Sequence, residues 1–139
     1  MKVNNKELRL HNLVRNKNTN TVEFITAIQN TEVLETNEIG YTIEEFEPIE
    51  INEDWIIKAG FKKVEYKDKY WYKLQIPNEF DLHLTSDNYI NNEWRVNVVD
   101  WNINCKYLHQ LQNLYYTLSG QELTELYEYA HQKEIYINE

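Results

Sequence analysis

The sequence predicts an α+β fold: an antiparallel β-meander packed against two C-terminal helices, preceded by a small N-terminal β-sheet or partial barrel and one short central helix. Three observations carry this expectation. Tyr70, Tyr72, Leu74 and Ile76 alternate with Trp71, Lys73 and Gln75, which is the period of a half-buried strand. Leu108, Leu111, Tyr115 and Leu118 recur every three or four residues, which gives a helix one apolar stripe. Asn52, followed by Glu53 and Asp54, and Gly60 mark the two ends of a short helix, because an Asn side chain caps free amides and Gly accepts the left-handed exit.

Taken in order, residues 7–14 alternate in their first half and read as a strand, and residues 16–20, rich in Asn, read as a turn. Residues 21–28 are β-branched and give a second strand, with shorter candidates at 31–35 and 40–46. The central helix turns Trp55, Ile56 and Ala59 inward. In the meander, Phe80, Leu82 and Leu84, then Trp94, Val96 and Val98, alternate with polar residues around a turn at Asn91 and Asn92, and residues 103–107 supply a fourth strand. Leu114 flanks the stripe of the long helix. Ser119 and Glu122 have the spacing of a capping box, Gly120 permits a bend, and Leu123, Leu126, Tyr127 and Ala130 give a second helix. A length of 139 residues fits one domain, residues 1–46 being its β segment and 47–139 the helix, sheet and helical pair.

Composition narrows the function. A net charge of −9 opposes binding nucleic-acid backbone with the surface as a whole, and favours basic partners. The charge is uneven: residues 18–57 hold ten acids and no Lys or Arg, and residues 58–76 hold six Lys against two acids. No apolar run is long enough to span a bilayer or to form a signal peptide, so a cytoplasmic location is expected. Cys105, the single cysteine, reads as a buried thiol on a strand.

Catalytic patterns are missing. The four histidines stand singly, there is no phosphate-cradling Gly-rich loop, and no nucleophile elbow occurs. Asp81 and His83 share a strand face and are the nearest thing to a metal or acid/base pair; Glu44 with Glu45 and Glu53 with Asp54 are paired carboxylates in solvated settings. No catalytic residue, metal ligand or cofactor is therefore assigned, and the chain is not expected to be an enzyme. Eleven Tyr and four Trp exceed what one small core needs, and Tyr66, Trp71, Tyr89 and Tyr116 are expected to be partly exposed as interface anchors. The lysines at 58–73, interleaved with aromatic residues, have the makings of a stacking site for single-stranded nucleic acid, but Glu65 and Asp68 interrupt them and direct binding is not the expectation.

Three stretches together resemble a group of small uncharacterised proteins of Bacteroidota genomes and prophages. They are Glu7-Leu8-Arg9 with Asn12-Leu13-Val14; Pro48-Ile49 with Trp55, Lys58, Gly60 and Phe61; and Tyr107-Leu108-His109-Gln110-Leu111-Gln112-Asn113-Leu114-Tyr115 with Leu118, Gly120, Glu122 and Leu123. In that group Gly usually stands where this chain has His11, and Thr or Ser where it has Asn52. The resemblance implies a phage-type origin and, by analogy with acidic phage accessory proteins, a counter-defence inhibitor that occupies a nucleic-acid-binding surface of a host protein. The expected docking residues are Glu38, Glu44, Glu45, Glu47, Glu50, Glu53 and Asp54, with the four aromatic anchors named above. The rival expectations are a small metal-dependent nucleic-acid-processing enzyme using Asp81 and His83, and a structural phage protein acting by self-association.

Overall fold

A computed structural model describes residues 7–37, 39–76, 81–87, 93–98 and 101–131. The fold is α+β and mostly strands, as expected. It divides into two compact units, one formed by Met1–Ile49 with Tyr107–Glu139 and the other by Glu50–Lys106.

The first unit is built on five antiparallel strands: β1 (Leu13–Asn16), β2 (Thr21–Ile28), β3 (Val33–Thr36), β4 (Ile39–Thr42) and β5 (Phe46–Glu47), in the order β4-β3-β2-β1-β5. The sheet curls into a half-barrel, with a register shift between Ile25 and Ala27 where β2 meets β3. Leu8, Val14, Ile25, Leu34, Ile43 and Phe46 fill its interior, and Tyr41 sets its edge against the Phe46 ring at 5.5 Å.

Residues 7–12, expected to open a strand, form a turn instead, and the ladder starts at Leu13. The turn closes on itself: Arg9 N–H donates to Asn12 Oδ1 at 2.7 Å, and Asn12 N–H donates back to the Arg9 carbonyl at 3.1 Å. His11, at φ 76, occupies the left-handed region that favours glycine.

Helix α2 (Leu108–Ser119) lies against β1 of the same unit. Its buried side is Leu108, His109, Leu111, Gln112 and Tyr115, while Leu114 and Leu118 are only half-buried. Gly120, at φ 73, ends it and donates its N–H to the Tyr116 carbonyl. The expected capping box is not formed. Ser119 Oγ instead donates to the Tyr115 carbonyl at 2.7 Å and accepts from Gln121 N–H, while Glu122 turns to Arg9. Without that cap the chain beyond α2 forms a 3-10 turn, Thr124–Tyr129, in place of a second α-helix; it buries Leu126 and sets Tyr127 on Phe24.

The second unit opens with helix α1 (Glu53–Lys58). Asn52 Oδ1 accepts the Trp55 N–H at 2.9 Å, Trp55, Ile56 and Ala59 are buried, and Gly60 leaves at φ 101. Five strands come after it as an antiparallel meander: β6 (Lys62–Tyr66), β7 (Lys69–Gln75), β8 (Asp81–Asp87), β9 (Glu93–Val98) and β10 (Trp101–Cys105). Strand β6 adds one to the expected four; its pattern Lys-Lys-Val-Glu-Tyr has a single aliphatic residue and gives little sign of burial. Lys67 and Asp68, both at positive φ, make the two-residue turn that joins it to β7. One face of this sheet is buried at Tyr72, Leu82, Leu84, Val96, Val98 and Cys105.

Candidate functional site

The acids singled out in the sequence fall into the two units separately. In the first, Glu44 is exposed in the 3-10 turn Ile43–Glu45. Glu45 accepts the Thr42 N–H and the Asn18 side-chain amide, each at 2.8 Å, so its carboxylate closes a turn. Glu47 faces Arg15 across the β1/β5 ladder and pairs with it at 3.1 Å.

In the second unit, Glu53 accepts the Tyr72 hydroxyl and lies 3.9 Å from Lys63, and Asp54 pairs with Lys58 at 2.8 Å one helical turn on. These two carboxylates are well over half exposed, so the pairs contribute little to stability, but they cancel charge locally. Glu50 is exposed at the start of this unit. Glu38 and Tyr89 lie outside the described residues.

Counted by unit, the charge is lopsided. The first unit holds thirteen acids against six bases, a net −7, and the second holds ten against eight, a net −2. Moreover, the first unit's two arginines are both engaged. Arg15 is bound to Glu47, and Arg9 grips Glu122 through Nη1 at 2.5 Å and Nη2 at 3.0 Å, while its guanidinium covers the Tyr116 ring at 4.3 Å. Glu32 and Glu125 stand exposed on the same unit. Sequence reasoning missed Glu125 because it joins the first unit only through the return of the chain's C-terminal part; Glu32 lies within the acid-rich stretch but outside the expected docking set.

Of the aromatic anchors, Tyr116 is exposed at one face with Arg9 on the other, Tyr66 is 62% exposed, and Trp71 is half-buried on β7. Tyr70 and Trp101 are also exposed and lie outside the expected set; Trp101, the most exposed aromatic among the described residues at 72%, lies on the edge strand β10.

Asp81 and His83 do share β8, but their neighbours differ from those of a metal site. Asp81 lies 3.7 Å from Lys73, and the His83 ring lies nearly parallel to Trp71. Among the described residues no three His, Cys, Asp or Glu side chains converge to hold a metal. Cys105 is buried, and burial pushes its thiol up to about 12, far from a nucleophile at neutral pH.

His109 is a buried titratable group of the first unit. It is 1% exposed at the start of α2, stacked on Tyr107, with Nε2 at 3.0 Å from Glu7 Oε1, and its Nδ1 has no partner. Burial lowers its pKa, and the Glu7 carboxylate opposes that shift without overcoming it. The unfolded chain therefore binds the proton more tightly than the folded one. Stability conferred by neutral His109 is complete above the ordinary pKa of 6.5 and declines as the pH falls below it. Thermal melts at pH 7.5 and 5.5 are expected to show a lower Tm at the acid value, and His109→Gln to shrink that difference. An equal difference in the variant would assign the effect to other groups.

In comparisons with known proteins, the chain matches no family model, no curated protein and no solved structure, so its function has to be read from its own residues.

Proposed function

We propose that this chain is a non-enzymatic binding protein of the phage accessory kind, whose acid-rich first unit docks on a basic, nucleic-acid-binding surface of a host protein. The observation that carries the reading is the net −7 of that unit, with both of its arginines already taken up by Glu47 and Glu122. Such a surface raises the rate at which a cationic partner arrives, and salt weakens it over a screening length of about 8 Å at physiological ionic strength. The pairing of Glu53 and Asp54 with lysines moves the docking set away from α1, towards Glu44 and the exposed Glu32 and Glu125.

The test is capture of a partner from host lysate by the full chain at low salt, followed by association kinetics with the protein recovered. Glu32→Lys, Glu44→Lys and Glu125→Lys combined are expected to slow association by about tenfold or more and to flatten its salt dependence, with dissociation little changed. Unaltered association by the charge-reversed protein sinks the proposal.

A further inference from the structure

The open face of the second sheet has a chemistry unlike that of the rest of the chain. Register places Lys62 opposite Lys73, Lys73 opposite His83, His83 opposite Asn97, and Asn97 opposite Asn102. Two lysines, an imidazole and two amides thus form one row across all five strands, about 19 Å long at the usual strand spacing. Along β7 the same face reads Lys69, Trp71, Lys73, a cation, a ring and a cation. The Trp71 and His83 rings lie 16° from parallel at 6.4 Å, and the indole N–H has no partner. Arg95 stands one level on, opposite Asn104.

Lys62, Lys69 and Lys73 are exposed and Arg95 half-exposed, whereas Tyr72, Leu82, Leu84, Val96 and Val98, on the other face of β7, β8 and β9, are buried. Like charges directly opposite each other, as at Lys62 and Lys73, cost stability. Protection of a sheet edge accounts for lysines on β6, the edge strand, but not for Lys73 on β7 or Arg95 on β9, which are interior strands. Register puts three acids on this face as well, Asp81 at 3.7 Å from Lys73, and Asp87 and Glu93 opposite each other at the end of the β8/β9 ladder beyond Arg95, so the cations gather at the β6/β7 end.

We infer that this face binds single-stranded nucleic acid, its cations following the phosphates while bases stack on Trp71 and its neighbour His83. Alternation of cation and ring suits a single strand, whose bases are free to stack between phosphate contacts, and the row of amides offers hydrogen bonds without demanding one sequence. Local charge decides this in spite of the chain's net −9, because charges beyond a screening length act weakly.

The test uses the full chain and a fluorescent oligothymidylate of about a dozen nucleotides. Anisotropy is expected to show binding at low salt, with quenching of Trp fluorescence that Trp71→Phe removes. Lys62→Glu with Lys73→Glu should weaken binding more than tenfold and lower the slope against log salt by about 1.4, at about 0.7 per phosphate contact. Circular dichroism checks that this variant folds. The inference is overturned if no binding occurs, if the double variant binds as the parent does, or if a duplex or a polyglutamate peptide binds as tightly as the single strand. Reversing Glu32 and Glu44 should leave oligonucleotide binding unchanged or stronger, so failure of docking through the first unit and failure of this face are distinguishable.

Discussion

Phe46→Ala is expected to destabilise the first unit by about 3–5 kcal/mol. Phe46 has no exposed surface, sits on β5 where the curled sheet meets β1, and receives the edge of Tyr41. Truncation removes the transfer free energy of the ring and leaves a cavity bounded by Val14, Ile25 and Leu34, which a sheet already bent by its bulge cannot collapse to fill. In a thermal melt this amounts to a fall on the order of 10 °C. Hydrogen exchange should show protection lost from the amides of β1, β2 and β3. A fall of only a few degrees would mean that the half-barrel repacks around the missing ring.

Gln112→Leu is expected to cost about 2–4 kcal/mol, although it swaps one side chain for an apolar one of similar size. Gln112 is fully buried in α2. Its Oε1 accepts the Leu13 N–H at 2.8 Å and its Nε2 donates to the His11 carbonyl at 3.1 Å, so one side chain satisfies the backbone on both sides of the turn that starts β1. Leucine supplies neither partner, and each buried group left unpaired costs about 1–3 kcal/mol. Urea titration should give a lower midpoint with an unchanged m-value, and Thr117→Ala on the exposed side of the same helix should change little. A shift below about 0.5 kcal/mol would show that water replaces the amide.

Much of the architecture is legible in the sequence because it depends on local signals. Asn52 and Gly60 bound α1 as their chemistry requires, the alternation of Tyr72 and Leu74 with Trp71 and Lys73 names the two faces of β7, and Thr21–Ile28 is a strand at the expected bounds. The misreadings occur where partners distant in sequence take over. Arg9 draws Glu122 away from Ser119, and the turn after α2 becomes 3-10. Asn12, held by Asn113 across more than a hundred residues, and Gln112 replace the first part of a strand by a turn. Spacing along the chain carries no trace of such contacts.

The surfaces are legible by composition and not by address. A run of ten acids without a base is evident, yet its members divide between two units, and the pairing of Asp54 with Lys58 and Glu53 with Lys63 emerges only from the helix and hairpin that carry them. In the same way Glu65 interrupts the lysines at 58–73 along the chain but not in space. The register of β6 and β7 separates them, putting Lys62, Lys69 and Lys73 on one side and Lys63 with Glu65 on the other.

One unit is assembled from both ends of the chain and the other lies wholly between them, with Leu108 N–H bound to the Ile49 carbonyl and Ile51 N–H to that of Lys106. During synthesis, then, the five early strands emerge without α2, and the entire inserted meander must leave the ribosome before their covering helix exists. At ordinary elongation rates of about 5–20 residues per second, that is an interval of some seconds. The nascent half-barrel must spend it with Leu13 uncovered, inviting chaperones, while the meander is free to fold first.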